Sequence, residues 1–410
     1  MLIKRRTRRE FIRDGLSAVA MGWAAPGFLT NLARAQTANS RNLVVLYLGG
    51  GNDALNTVIP YNDGLYYDYR PSVGIPEEDV IKINDEVGFR PGLEPIKNLW
   101  DQGKVAIIQG IGYPNPNRSH FRSMDIWHTA LPDEIGQEGW LGQVIRELDP
   151  DSENVLKGVN FGRGLPRALS AKDVSVASVG NLDTYGLFPD MKDEALRKYA
   201  VDTFAQMYGA DLGVDSVIDF LGQTGLDAMK GADILKTAPE KYRSNVEYAS
   251  NQIASDLKSA AQVMFAELGT QVYYASHGGY DSHSGELATH ASLWGELAPA
   301  IGDFVDDVEQ HGYGDDSIVL VFTEFGRRIK DNGSGTDHGS GGVAFLIGNS
   351  VKGGLYGDYP SLSPEAQLEG DLHFNNDFRI TYTSILEDWF RMNAAPIVNG
   401  TFEKFDLFRN

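Results

Sequence analysis

The stretch that decides the fold is Asn42-Leu43-Val44-Val45-Leu46-Tyr47-Leu48-Gly49-Gly50-Gly51-Asn52-Asp53. Its apolar run has no alternating polar positions, which is typical of a strand buried on both faces of a parallel sheet. The glycines that follow allow a tight turn, so we expect Asp53 to lie at the carboxyl end of this strand. Open α/β sheets bind their ligands at that edge. The stretch therefore predicts both a fold class and the position of a site.

Similar apolar runs recur along the chain and are separated by amphipathic patterns typical of helices. The runs lie at 105–109, 174–179, 271–276, 317–323 and 343–347, and the helical patterns at 121–129, 251–268 and 288–310. This alternation predicts an α/β fold, a three-layer α/β/α domain with a mostly parallel central sheet. The stretch at about 187–250 contains no strand pattern. We interpret it as a helical insertion within a single domain that covers 36–410.

Residues 1–35 have the layout of a cleavable signal peptide. Basic residues precede an apolar stretch at 16–29, and Ala33-Arg34-Ala35 follows. Within the basic part, Thr7-Arg8-Arg9-Glu10-Phe11-Ile12-Arg13 resembles the twin-arginine export signal. We therefore expect export by the twin-arginine machinery, cleavage after Ala35, a periplasmic or secreted product and no stable membrane anchor. The alternative is an amphipathic first helix with a basic face.

Composition excludes several classes of function. The chain has 410 residues, a formal net charge of −20 and no cysteine. Such an acidic chain lacks the basic surface that phosphate contacts require, so nucleic acid is not expected as a partner. The absence of cysteine excludes disulfides, thiolate metal sites and cysteine nucleophiles.

Carboxylates and imidazoles follow several of the predicted strands. At their carboxyl ends, where a site is expected, the sequence has several such residues, among them Asp53, Asp281, His283, Glu324 and His338. Oxygen and imidazole ligands without thiolates suit Zn, Mn, Mg or Ca. Two alternatives remain open, because Asp53 would also serve to cap its own turn and Glu324 to pair with a nearby arginine.

Several motifs together resemble the exported domain of unknown function 1501 family. They are the export signal, the Leu-x-Gly-Gly-x-Asn-Asp loop, Asn117-Arg118-Ser119-His120-Phe121, Gly278-Gly279-Tyr280-Asp281-Ser282-His283, Thr323-Glu324-Phe325-Gly326-Arg327 and Thr336-Asp337-His338-Gly339. That family is similar to the alkaline phosphatase and sulfatase superfamily. The resemblance implies an α/β/α fold, a divalent metal site with one or two ions, and a nucleophile at the start of a helix.

The resemblance also implies roles for individual residues. Ser119 matches the nucleophile position, and the metal-ligand positions are matched by Asp53, Asp281, His283, Glu324 and His338. Independently of the resemblance, Arg118 and Arg327 are candidates to hold an anionic group, because a guanidinium binds such a group through two hydrogen bonds. The alternative for Ser119 is a helix N-cap without chemistry. Two departures from the superfamily pattern leave the number of ions open. Asp281 and His283 are two residues apart rather than four, and Phe325 stands where a histidine is common.

The expected function is an exported, metal-dependent hydrolase of a phosphate or sulfate ester. Its substrate would be a small-molecule or polymeric anionic ester. The alternative is an exported, non-catalytic protein that binds a metal or a glycan on the same fold, because fold alone does not dictate function.

Overall fold

The computed structural model describes residues 41–182 and 234–409, together with residues 195–196, 199–200, 202–203 and 231–232 between them. The signal peptide expected over 1–35 lies outside the described residues, as does most of the helical insertion expected over about 187–250. Both stay predictions. Of the insertion, the described part includes a short helix, Ala238–Lys241, and residues 242–250, which form neither helix nor strand.

The described residues alternate between strands and helices along most of their length. The strands are β1 (Asn42–Gly49), β2 (Val58–Ile59), β3 (Ile81–Lys82), β4 (Gly88–Phe89), β5 (Val105–Gly112), β6 (Gly158–Phe161), β7 (Ala177–Val179), β8 (Val272–Gly278), β9 (Ser317–Thr323), β10 (Gly342–Ile347), β11 (Gly354–Tyr356) and β12 (Asn376–Asp377). The α-helices are α1 (Gly64–Tyr69), α2 (Glu94–Asp101), α3 (His120–Thr129), α4 (Trp140–Leu148), α5 (Ala238–Lys241), α6 (Gln252–Phe265), α7 (Glu286–Gln310), α8 (Phe378–Ser384) and α9 (Ala395–Val398). Within these ranges, no helix has the length and apolarity needed to cross a membrane.

The central sheet is mixed and mostly parallel. Its strand order is β11-β5-β10-β9-β1-β8-β6-β7, and β12 pairs with β5. Only β10 runs antiparallel to its neighbours within the described sheet, because the chain returns directly from β9 to pair beside it. Strands β2, β4 and β3 form a separate small sheet. The predicted fold class is confirmed.

Helices cover both faces of this sheet. Side chains of a strand point alternately to the two faces, and in β1 both sets are buried. Val44 packs into a cluster with Leu257 of α6 and Phe304 of α7. Its neighbour Val45 packs into a second cluster, which includes Trp140 of α4. Each such side chain contributes about 1.5–3 kcal/mol of hydrophobic stabilisation when buried. The continuous apolar pattern of β1 therefore reflects its central place between two helical layers.

The register of the central strands creates the site. In the parallel pairing, Leu48 of β1 lies opposite His277 of β8 and Thr323 of β9, so the three strands end at the same edge. Gly50, just after β1, has a φ of 121°, and a Cβ there would overlap the backbone nitrogen of Asp281. Glycine thus lets the loop after β1 pack directly against the loop after β8.

Candidate metal centre

Asp281 forms the centre of a cluster of histidines at this edge. Its Oδ1 lies 3.0 Å from His283 Nε2 and 2.9 Å from His338 Nε2. The two Nε2 atoms lie 3.0 Å from each other. Ligand atoms at 2.0–2.1 Å from a tetrahedral zinc ion are about 3.3 Å apart. The three atoms therefore form a triangle of nearly the size that one face of a zinc coordination sphere requires.

His120 adds a third imidazole to the same centre. It is the first residue of α3, and its Nε2 lies 3.4 Å from Asp281 Oδ2. His120, Asp281 and His338 each offer a ligand atom, and these atoms all lie within 4.8 Å of one another. His120 was not predicted as a ligand. Its position in the motif that also contains Ser119 could have indicated the site, but the serine hydroxyl was preferred there as the reactive group.

Each of the three imidazoles is held through its Nδ1 atom by an oxygen that accepts a hydrogen bond. His120 donates to Glu324 Oε1 (2.8 Å), His283 to Asp337 Oδ1 (2.9 Å) and His338 to the carbonyl oxygen of Arg118 (2.8 Å). An acceptor without a proton requires Nδ1 to carry one, so in each neutral ring Nε2 presents its lone pair. Metal-binding histidines are typically oriented and tautomerically fixed by such partners. The arrangement thus directs three lone pairs toward one carboxylate.

The charges around Asp281 keep this carboxylate ionised. Its partial burial raises the pKa, but the hydrogen bond from Arg327 and the contact with the ring of His338 outweigh that effect and lower the pKa of Asp281 to about 2. The hydrogen bond with Glu324 raises the pKa of His120. A cluster with an ionised carboxylate at its centre attracts a cation.

Arg327 was predicted to hold an anionic substrate group, but the structure places it beneath Asp281. Its side chain is fully buried, and Nη2 donates to Asp281 Oδ1 (2.7 Å) and to the carbonyl oxygen of Tyr280 (3.0 Å). Its Nε and Nη1 atoms have no hydrogen-bond partner among the described residues. In this position Arg327 orients a candidate ligand rather than facing solvent.

Glu324 was predicted as a metal ligand, but the structure places it behind His120. Its side chain is buried, and Oε1 accepts hydrogen bonds from His120 and from the backbone N–H of Gly50 (3.0 Å). Oε2 accepts from the hydroxyl of Thr323 (2.9 Å). Both oxygens are therefore engaged, and Glu324 supports an imidazole instead of pointing at the cluster.

Asp53 was also predicted as a ligand, but its contacts lie elsewhere. The carboxylate is fully buried and forms an ion pair with Arg70. Its Oδ1 accepts hydrogen bonds from the backbone N–H groups of Leu55 (3.1 Å) and Asn56 (3.4 Å). Burial alone would raise the pKa of Asp53, but the positive charge of Arg70 keeps it well below its usual range. These contacts agree with the turn-capping alternative, and the structure does not bring Asp53 into the histidine cluster.

Ser119 and Arg118 immediately precede His120. Ser119 is exposed at the N-cap position of α3, yet its hydroxyl makes no capping hydrogen bond. Arg118 is half-buried and donates from Nε (2.9 Å) and Nη2 (2.6 Å) to Asp371 Oδ2. The hydroxyl of Ser119 is therefore not used to cap the helix. The guanidinium of Arg118, in contrast, is already paired with a carboxylate.

A comparison with protein families identifies the group to which these residues belong. A profile described as "Protein of unknown function (DUF1501)" matches residues 109–382. The chain belongs to this family. The matched range includes Asp281 and the three histidines around it, which are His120, His283 and His338. Asp53 lies before the matched range.

Solved structures resemble this DUF1501 chain only distantly. A structure described as BT1596, a 2-O GAG sulfatase, is 10% identical, with 89% of this chain and 75% of that chain covered and a TM-score of 0.36. The alkaline phosphatase from the Antarctic bacterium TAB5 is 11% identical, with 77% and 94% covered and a TM-score of 0.33. Similarities at this level say nothing about what the DUF1501 chain binds or does. No curated protein matches the chain significantly.

Proposed function

We propose that this DUF1501 protein is a metal-dependent hydrolase of phosphate or sulfate esters. The observation that carries the proposal is the set of three imidazole Nε2 atoms directed at the carboxylate of Asp281, each ring held by an oxygen on its Nδ1. This is the arrangement expected of ligands prepared for a cation. Nothing else among the described residues brings together so many candidate ligand atoms.

The candidate ligand atoms fit a divalent ion that is intermediate between hard and soft. We assign the ligands to Asp281, to His338 and to one of the two further imidazoles, His120 or His283, which leaves a fourth tetrahedral position for water or substrate. These are nitrogen and oxygen donors without sulfur. Imidazole-rich sites of this kind favour Zn or Mn over Mg or Ca. The ion would supply a Lewis acid that polarises a phosphoryl or sulfuryl oxygen of the substrate.

The exposure of the cluster favours chemistry over a purely structural metal. The side chains of Asp281 and His283 are each 45% exposed, and that of His120 is 31% exposed. Structural zinc sites are closed by protein ligands, whereas catalytic sites keep a position open to solvent. A substrate can therefore reach this centre from the solvent side.

Ser119 is the residue we propose as the nucleophile. It lies at the N-terminus of α3, a ten-residue helix, and directly precedes His120. Backbone N–H groups and the positive end of the helix dipole stabilise both a serine alkoxide and a negatively charged oxygen of the substrate. Attack by Ser119 Oγ would release the alcohol of the ester, and water would then free the phosphate or sulfate.

The cellular context completes the proposal. The signal peptide predicted over residues 1–35 would direct export by the twin-arginine machinery, with a periplasmic or secreted product. The substrate would then be a small-molecule or polymeric anionic ester outside the cytoplasm.

The experiment uses the mature chain, residues 36–410, loaded with Zn²⁺ or Mn²⁺ and assayed on a panel of aryl phosphates and aryl sulfates. We expect turnover that is lost on chelation and lost in His338→Ala. It should be retained in His373→Ala, which removes an exposed histidine outside the cluster. Bound metal without turnover of any ester would contradict the hydrolase and favour the non-catalytic binding protein. A mature chain that takes up no metal would contradict the centre itself.

A further inference from the structure

Two acidic side chains lie buried outside the metal centre and are connected through Thr336 to the loop that carries Asp281. Asp53 follows β1 and is 1% exposed, and Glu286, the first residue of α7, is 0% exposed. Asn56 bridges the two carboxyl groups, because its backbone N–H donates to Asp53 Oδ1 (3.4 Å) and its Nδ2 donates to Glu286 Oε1 (3.1 Å). Two neighbouring buried carboxyl groups are a common setting for a divalent cation. The position therefore raises the question of whether the protein holds one ion or two.

A protein cation is already in that position. The guanidinium of Arg70, 1% exposed, forms an ion pair with Asp53 Oδ2 through Nη1. Its Nε donates to the carbonyl oxygen of Ile329 (2.9 Å) and its Nη2 to the carbonyl oxygen of Arg328 (2.8 Å). All three nitrogens of Arg70 are thus engaged. Displacing the side chain would leave a buried charge and two carbonyl oxygens without partners, which is strongly unfavourable.

The other oxygens of the acid pair are engaged as well. Besides the backbone N–H groups that bind Asp53 Oδ1, the Nδ2 of Asn56 donates to Glu286 Oε1 (3.1 Å) and the hydroxyl of Thr336 to Glu286 Oε2 (2.5 Å). Burial and the charge of Asp53 raise the pKa of Glu286 above its usual range, which favours the protonated form of this acid. The group of Asp53, Glu286 and Arg70 is then electrically balanced without a metal.

We infer that Arg70 is a built-in cation that excludes a second metal ion, so that the proposed centre holds a single divalent ion at Asp281. The inference rests on the proposed metal centre and adds its stoichiometry. It also assigns a role to Arg70, whose hydrogen bond to the carbonyl of Arg328 lies one residue from Arg327, the partner of Asp281. The buried guanidinium of Arg70 thus holds the backbone next to Arg327, which in turn binds the carboxylate of Asp281.

The experiment counts metal ions per chain in the mature protein. The protein is equilibrated with excess Zn²⁺ or Mn²⁺, and unbound metal is removed by gel filtration. Elemental mass spectrometry then gives the number of bound ions per chain. We expect one ion in the wild type, none in Asp281→Asn and one in Asp53→Asn, which keeps the shape of the side chain but removes its charge. Two ions in the wild type, or loss of an ion in a folded Asp53→Asn variant, would overturn the inference. An Asp281→Asn variant that keeps its ion would contradict the proposed centre instead, so the two failures are distinct.

A spectroscopic measurement covers the case in which Asp53→Asn does not fold. Electron paramagnetic resonance of the Mn²⁺-loaded wild type distinguishes an isolated ion from a pair of neighbouring ions, because neighbouring ions couple magnetically. The spectrum of an isolated Mn²⁺ ion supports the inference. The spectrum of a coupled pair overturns it.

Discussion

The Nε2 atoms of His283 and His338 lie 3.0 Å apart, and each lies within 3.0 Å of Asp281 Oδ1. The Nδ1 atoms of both rings donate hydrogen bonds to oxygen, so the neutral rings direct two lone pairs at each other. Two lone pairs at this distance repel unless a proton or a metal ion lies between them. The nearby carboxylate increases the attraction for either cation. This relationship underlies the proposed metal centre.

Asp337→Ala tests the support of one imidazole without removing a ligand. Asp337 accepts the Nδ1 hydrogen bond of His283, and its side chain is 55% exposed, so the substitution should leave the fold intact. Loss of such an orienting partner typically weakens metal binding about 10- to 100-fold. Competition titration with a zinc chelator measures the change. Asp315→Ala, another exposed acid outside the cluster, serves as the control and should bind zinc as the wild type does. Equal affinities in all three proteins would remove His283 from the ligand set.

Ser119→Ala separates the nucleophile from the metal ligands. We expect turnover of aryl esters to fall by about 10³ or more, because an activated nucleophile cannot be replaced by its neighbours. The variant should retain its metal, since Ser119 makes no contact that orients a histidine ring. Ser255→Ala, on the exposed face of α6, is a matched control that should keep full activity. Full turnover in Ser119→Ala would assign the attack to another group.

The apolar strands were predictable because each is buried on both faces. The runs at 105–109, 271–276 and 317–323 overlap β5, β8 and β9, although β5 and β8 continue beyond their runs to Gly112 and Gly278. The antiparallel direction of β10 was not predictable, because an apolar run does not indicate in which direction its strand pairs with the neighbouring strands. Strand β6, Gly158–Phe161, is too short and too polar to stand out in the sequence.

The cluster was partly predictable for a related reason. Asp281, His283 and His338 follow predicted strands, and the parallel register brings such ends together. Asp53 also follows a strand, but Arg70 neutralises it, and no pattern in the sequence links the two residues. His120 is the first residue of its helix, a position that by itself does not indicate a metal ligand. Its place beside Asp281 depends on how α3 packs over the loop after β8.

Gly50→Ala tests the close approach of two loops. The φ of Gly50 is 121°, and a Cβ would overlap the backbone of Asp281 and Tyr280. We expect the variant to lose roughly 2–4 kcal/mol of stability, because strained backbone and overpacking are both costly. It should also bind metal more weakly, since Asp281 has to move. Gly295→Ala is the control, because a Cβ there meets no atom and alanine favours its helix. Unfolding by urea measures both, and similar midpoints would contradict the prediction.

Asp256→Asn tests a buried acid on α6 that is not part of the cluster. Burial raises the pKa of Asp256 to about 6, whereas an unfolded chain releases this proton near pH 3.9. The folded state therefore binds the proton more tightly, and its stability falls as the pH rises from about 4 through 6. Asparagine keeps the hydrogen bond from Gln252 and has no charge to desolvate. We expect the free energy of unfolding to increase by about 1–2 kcal/mol at pH 7.5 and by much less at pH 4. An equal gain at both pH values would contradict the shifted pKa.

The central claim is that Asp281 and the histidines around it bind a divalent metal ion. Anomalous diffraction at the zinc absorption edge, from crystals of the mature chain soaked in Zn²⁺, tests it most directly. The account predicts an anomalous peak about 2.0–2.3 Å from a carboxylate oxygen of Asp281 and from Nε2 of His338, with Nε2 of His120 or His283 completing the set. Zinc bound at another position, with no peak at Asp281, would contradict it.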